Sequence, residues 1–181
     1  MRIIGGDLKG KKIEALKGTV IRPTSGRVRE SIFNLISFDV EDSVVLDLFA
    51  GTGAMAMEAL SRGARSALLV ENNNKALNLI KRNIRSCGYE NKAVVVKWNI
   101  VKDLMCLTHH NPTFDIVFMD PPYNRGYVEM VLLNLKKSVP LSQSSLLVVE
   151  HSKNELIENN IYGFILFDQR KYGKRLVSFF H

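Results

Sequence analysis

Five short runs dominated by Val, Leu, Ile, Ala and Phe recur along this chain without polar alternation: Val44–Phe49, Ala67–Glu71, Ala93–Trp98, Phe114–Met119 and Ser145–Glu150. Apolar stretches of this length, bounded by turn residues, read as strands buried on both faces, as in a parallel sheet. The segments between them, Ala54–Arg62, Asn74–Cys87, Ile100–Leu107 and Gly126–Lys137, read as helices from apolar spacing or strong helix formers. Strand and helix alternate, which predicts an α/β fold with a doubly wound, mostly parallel sheet. Two later runs, Tyr162–Asp168 and Arg175–Phe180, flank Gly173 and predict a closing antiparallel hairpin, seven strands in all. At the other end, Arg2–Ile4 and Lys11–Ile13 predict a small β-hairpin, with Gly5-Gly6-Asp7 and Lys9-Gly10 supplying turn residues. Thr24 or Ser25 then caps a helix to about Ile36, its core side formed by Val28, Ile32, Phe33, Leu35 and Ile36.

In open α/β sheets, ligands bind beyond the carboxyl ends of the strands, where Asp47, Glu71, Asn99 and Asp120 all fall. Phe49 ends the first strand, and Ala50-Gly51-Thr52-Gly53-Ala54 follows it directly and leads into a helix, the opening of a nucleotide-binding βαβ unit. Glu71 closes the next strand, where an acid accepts from ribose hydroxyls. Gly51 and Gly53, with Ala56, also satisfy a dinucleotide pattern, so the glycines alone leave the cofactor open. Asp47 narrows it. A carboxylate facing a pyrophosphate is repelled and one facing an ammonium is attracted. S-adenosylmethionine, with an α-ammonium, a sulfonium and no phosphate, suits such a loop. The alternative for Asp47 is a strand-end acid capping the glycine turn.

Asp120-Pro121-Pro122-Tyr123 closes the fourth strand. Two prolines stop the strand and stiffen its exit. An acid, rigid carbonyls and an aromatic ring together hold a flat amine: Asp120 and Pro121 accept from an exocyclic –NH2, and Tyr123 stacks on the ring that bears it. The ring face alone serves that role, so Tyr123→Phe is expected to keep most activity. A plain Pro-Pro turn with a packing tyrosine is the alternative. Asn99 follows the third strand, where the family resemblance given below implies an acid for an adenine amine; its carbonyl accepts the same bond, or it caps a helix. Ile100 and Asn72 border the same position.

With those motifs in view, the chain resembles class I S-adenosylmethionine-dependent methyltransferases, which carry an acid-x-x-x-Gly-x-Gly loop, an acid after the second strand and, in the amino-methylating branch, [Asp/Asn]-Pro-Pro-[Tyr/Phe]. Arg2-Ile3-Ile4-Gly5-Gly6, Lys9-Gly10-Lys11-Lys12-Ile13, Arg22-Pro23-Thr24, Arg27-Val28-Arg29-Glu30 and Phe33-Asn34 make it similar to the RsmD family, 16S ribosomal RNA guanine-N2 methyltransferases. The resemblance runs from Arg2 to about Lys153. It implies a Rossmann-like fold, S-adenosylmethionine as cofactor, and 16S ribosomal RNA within an assembling 30S subunit as partner. An adenine-N6 methyltransferase shares Asp-Pro-Pro-Tyr, a protein-amide methyltransferase shares the stacked-amine geometry, and a non-catalytic RNA-binding module remains a third alternative.

Composition agrees with a nucleic-acid partner. The net charge is +7 over 181 residues, and it sits at the ends. Arg2, Lys9, Lys11, Lys12, Lys17, Arg22, Arg27 and Arg29 face only Asp7, Glu14 and Glu30, and the tail adds Arg170, Lys171, Lys174 and Arg175 without an acid. A nearly neutral body with basic ends suits a polyanion. Arg2, Lys9, Lys11, Lys12, Arg22, Arg27 and Arg29 are accordingly the expected RNA contacts, with a surface salt bridge of Arg27 or Arg29 to Glu30 as the alternative. Cys87 and Cys106 lack metal or disulfide spacing, and His109-His110 reads as a solvated loop. The chain is expected to be one cytoplasmic, monomeric, membrane-free, metal-free domain, with residues 1–38 an RNA-contacting extension and 39–181 the cofactor-binding core.

Overall fold

The computed structural model describes residues 1–15, 25–107 and 113–181. Arg22, Thr24 and the histidine pair lie outside them. Its elements in order are α1 (Gly26–Leu35), β1 (Val44–Leu48), α2 (Ala54–Ser61), β2 (Ser66–Glu71), α3 (Asn74–Cys87), β3 (Ala93–Lys97), β4 (Phe114–Met119), α4 (Tyr127–Ser138), β5 (Leu141–Ser152), β6 (Asn160–Ile161), β7 (Phe164–Tyr172) and β8 (Arg175–Phe180). The strands form one sheet in the order β3-β2-β1-β4-β5-β8-β7-β6. β1 to β5 are parallel, while β8 runs antiparallel to both β5 and β7. The order reverses between β1 and β4. Connections leave those two strands in opposite directions and open a crevice at their carboxyl ends.

Each face of the sheet is covered by the apolar stripe of its helices. Val45, Ile116, Phe118, Val148 and Phe179 pack against α1, α2 and α3; Leu46, Val117, Met119, Leu147 and Phe180 pack against α4 and the segment after β3. Neighbouring residues of one strand thus enter opposite cores, which is why the strands carry no polar alternation. Helix α3 buries Ala76, Leu77, Ile80 and Ile84 on one stripe, is capped by Asn73 accepting from the Lys75 and Ala76 N–H groups, and ends at left-handed Gly88. Ser25 caps α1 by accepting from the Val28 N–H.

Four expectations change. The segment Ile100–Leu107 is not a helix but an irregular loop ending in a 3-10 turn at Met105–Leu107. Ile100, Leu104 and Leu107 are buried at helix-like spacing, yet Asp103 accepts from the Trp98 indole and the Met105 N–H and fixes another path. β5 begins at Leu141, before the apolar run, because Leu141 pairs with Phe114 across a register shift. β7 runs on through Gln169–Lys171, since Leu176 and Val177 of β8 supply its ladder partners. Tyr162 and Gly163 form the turn after β6, so the sheet has eight strands rather than seven.

The amino-terminal hairpin contains one bridge, Arg2 with Lys12, and lies along α2. Glu58 of α2, fully buried, accepts from the Ile4 and Gly5 N–H groups at 2.8 Å each and pairs with Arg62. Ser61 accepts from the Leu8 N–H and donates to the Gly5 carbonyl. Gly6 is required here, because a Cβ would stand 1.7 Å from the Ser61 carbonyl oxygen at a φ of +71°. Asn83 of α3 bonds Glu14 and the Thr52 carbonyl, joining the hairpin's far strand to the glycine loop. Among the described residues no helix is long and apolar enough to cross a membrane.

Candidate active site

The crevice between β1 and β4 gathers the motifs. At the end of β1 the chain turns through Phe49, whose φ of 58° is unusual for a non-glycine residue, into the glycine loop. Gly53 stands at the start of α2 with φ 74°, and a Cβ there would press on Leu69 at 3.1 Å. Asp47 is 3 % exposed, and its carboxylate accepts from the Ala56 N–H at 3.2 Å. It therefore caps α2, whose N-cap glycine has no side chain to do so.

Glu71 crosses from β2 to the same loop. One of its oxygens accepts from the Gly51 N–H at 2.9 Å, and the other from the Asn72 and Asn73 N–H groups at 2.8 Å each. The Gly53 N–H is bonded to the Ala50 carbonyl. Loop donors that would cradle a phosphate are thus already engaged, and two carboxylates flank the loop. The arrangement suits a cationic or hydroxyl-bearing ligand.

Glu71, Asn72, Asn99, Ile100 and Phe49 line one cleft of about 510 Å³, which continues to Pro122, Arg125 and Tyr127. Beside it, Asp47, Asp120 and Glu150 meet Ile32 and Met55 around a void of about 20 Å³. Cofactor-type residues and the Asp-Pro-Pro-Tyr segment therefore share one crevice. A larger cleft of about 630 Å³ lies beyond Asn124 and Gly126, rimmed by Glu129, Glu155 and Glu158, and takes nothing from β1, β2 or the glycine loop.

The sequence pattern of the family described as "Conserved hypothetical protein 95" matches residues 1–181. The chain belongs to this family. It is 31% identical over 173 residues to the Bacillus subtilis "Putative rRNA methyltransferase YlbH", covering 96% of this chain and 94% of that one. It is 35% identical over 150 residues to Escherichia coli "Ribosomal RNA small subunit methyltransferase D", covering 83% and 74%. The solved structure of "Putative methyltransferase yhhF from Escherichia coli" superposes with a TM-score of 0.85 at 32% identity, over 99% of this chain and 96% of that one. The resemblance read from the sequence is borne out by these relatives.

The structure anchors Tyr123 through its hydroxyl. Its hydroxyl donates to Glu150 at 2.7 Å, and Arg175 donates to the same oxygen at 2.5 Å. Glu150 is 4 % exposed at the end of β5, and Arg175 opens β8. Burial, with the nearby Asp120 and Glu150 carboxylates, pushes the Tyr123 phenol up, so it stays protonated as a donor. Neither Glu150 nor Arg175 stands out in sequence, and the ring-face reading of Tyr123 left this anchor out.

The expected RNA contacts divide. Arg2, Lys9, Lys11, Lys12 and Arg27 are exposed. Arg29 is not: its guanidinium is 2 % exposed, donates to the Arg2 carbonyl at 2.5 Å and stands 3.6 Å from Glu58. It braces the amino-terminal hairpin from inside and is withdrawn from the RNA contacts. Neither Arg27 nor Arg29 pairs with Glu30 among the described ion pairs. Trp98, Val101 and Arg125, also cleft-lining, carried no motif that would have marked them.

Burial pushes the Asp47 carboxyl up to about 8, helped by the Glu71 charge and opposed by the Ala56 bond. Its folded value lies above its unfolded one, so the folded protein holds that proton more tightly. The resulting stability is complete below about pH 4 and is lost as pH rises through 8. Asp47→Asn, which cannot ionise, is expected to match the wild-type Tm below about pH 4 and exceed it near pH 9 in thermal unfolding of the ligand-free protein. A variant that declines in parallel with wild type would assign the slope to other groups.

Proposed function

We propose that this protein transfers a methyl group from S-adenosylmethionine to the exocyclic N2 amine of a guanine in 16S ribosomal RNA, acting on an assembling 30S subunit. The observation that carries the reading is the meeting of Asp120-Pro121-Pro122-Tyr123 with the Glu71 cleft at the point where strand order reverses. Asp-Pro-Pro-Tyr accommodates an adenine amine as well. Guanine N2 is supported by the resemblance of the Arg2–Asn34 segment to the RsmD family and by relatives named small subunit methyltransferase D.

The donor set fits the cofactor: Glu71 would hold ribose hydroxyls, Asn99, Ile100 and Asn72 the adenine, and Asp47, giving up its proton as the positive charge arrives, the α-ammonium. When bound, the cofactor supplies an electrophilic methyl on its sulfonium. The chain's own residues supply the rest. Hydrogen bonds from the amine to the Asp120 carboxylate and the Pro121 carbonyl favour a pyramidal nitrogen with its lone pair free. Tyr123 stacks on the base, a contact worth about 1–3 kcal/mol. The base first leaves its stack to enter the crevice. Asp120 or water takes the proton from the methylated nitrogen.

Incubation with methyl-labelled S-adenosylmethionine and 16S RNA, free or in 30S particles, tests the reading; absence of label from both would defeat it. Glu71→Ala is expected to weaken cofactor binding about tenfold or more, the loss of a charged hydrogen-bond acceptor, measured by calorimetry. Because the same side chain accepts from three backbone N–H groups, a lower Tm is expected alongside. Wild-type affinity in this variant would remove Glu71 from the cofactor site.

A further inference from the structure

β7 and β8 reach the catalytic edge by a route the parallel strands do not share. β8 is antiparallel to β5, with Arg175 opposite Ser152, and β7 ends with Tyr172 opposite Arg175. Their connecting turn, Gly173 and Lys174, therefore lies at the edge where β4 delivers Asp120. It is fastened there at three points. Arg175 bonds Glu150, the anchor of Tyr123. The Tyr172 hydroxyl is hydrogen-bonded to Ser31 of α1, one turn from exposed Arg27. The Lys153 N–H donates to the Lys174 carbonyl at 3.2 Å.

The basic residues around this turn fall into two groups. Arg175 is paired with Glu150, and Arg170 with Asp168. Lys153, Lys171 and Lys174 are exposed and take part in no ion pair among the described residues. The amino-terminal lysines stand elsewhere. The turn bearing Lys9 and Lys11 lies on the last residues of α2, with the Asp7 and Leu8 N–H groups bonded to Ser61. Helix α2 has eight residues, so that turn is about 12 Å along the helix from the glycine loop.

We infer that Lys153, Lys171 and Lys174 form a phosphate-binding clamp at the mouth of the catalytic crevice, holding the RNA backbone beside the nucleotide whose base enters. The clamp rests on the RNA-methylating reading and locates its substrate grip on the carboxy-terminal hairpin rather than on Lys9, Lys11 and Lys12. Each phosphate neutralised releases counterions, contributing about 0.7 to 0.9 to the slope of log affinity against log salt.

The test compares two triple variants of the full chain, Lys153/Lys171/Lys174→Gln and Lys9/Lys11/Lys12→Gln, by fluorescence anisotropy with in vitro transcribed 16S RNA over a salt series. The hairpin variant is expected to lose about tenfold or more in affinity near 0.1 M salt and to flatten the slope by about 2 to 3. Its Tm and S-adenosylmethionine affinity should stay at wild-type values, and its KM for RNA in methyl transfer should rise. The amino-terminal variant should lose less. Wild-type affinity and slope in the hairpin variant, or a larger loss in the amino-terminal one, would overturn the clamp while leaving the enzyme's function standing. A wild-type protein that neither binds nor methylates the RNA would overturn both.

Discussion

Asp120→Asn is expected to slow methyl transfer about a hundredfold in single-turnover assays, with S-adenosylmethionine affinity within about twofold of wild type. The substitution preserves size and one acceptor oxygen but removes the charge, and its own –NH2 competes for the position of the substrate amine. Asp120 sits at the rim of the void shared with Asp47 and Glu150, beside the cofactor cleft and not inside its lining. A carboxylate there favours the positive charge that develops on the amine only as the methyl arrives. Its loss therefore belongs to the transition state and leaves ground-state binding of cofactor intact. A hundredfold effect corresponds to about 2.7 kcal/mol, the range of a single charge-stabilising group in an active site. Full activity in Asp120→Asn would mean that the proline carbonyls and positioning suffice.

The second large effect concerns Tyr123, where the structure revises the sequence-based expectation. Tyr123→Ala removes ring and anchor together and is expected to cost about a hundredfold. Tyr123→Phe keeps the ring but releases it from Glu150 and leaves a buried carboxylate one donor short; a loss of about tenfold is expected, where the ring face alone predicted almost none. Small displacements of a reacting group carry costs of this size. Glu150→Ala should cost at least as much as Tyr123→Phe, because it also takes the carboxylate from Arg175, and the double variant should cost little more than Glu150→Ala alone, because the Tyr123 bond is already lost. A double-mutant cycle in single-turnover transfer measures this coupling. Independent, multiplying losses would mean that Glu150 acts apart from Tyr123.

Much of this fold is legible in the residues because its strands face a core on both sides. Val44–Leu48 and Phe114–Met119 admit little besides a buried strand, and the glycine loop, Glu71 and Asp120 then fall at one edge by topology alone. The failures share a cause: distant residues decide the outcome. Ile100, Leu104 and Leu107 have helical spacing, but Asp103 bonds Trp98 and turns the chain away. Arg29 reads as a surface cation until α2 brings Glu58 beneath it. Tyr123 and Arg175 lie 27 and 25 residues from Glu150, on three separate segments that only the sheet order unites. Asp47 was open to two readings, ligand contact and cap. The structure shows the carboxyl capping α2 through the Ala56 N–H rather than the glycine turn, whose Gly51 N–H goes to Glu71, while it also lines the void beside Asp120.

The most direct test of the central claim is nucleoside analysis by mass spectrometry of 16S ribosomal RNA from cells with and without this protein, and with the Asp120→Asn variant restored. N2-methylguanosine at one position is expected to disappear with the protein, return with the wild-type chain and stay greatly reduced with Asp120→Asn. Loss of N6-methyladenosine instead, or 16S RNA unchanged in its methylated nucleosides, would contradict that claim.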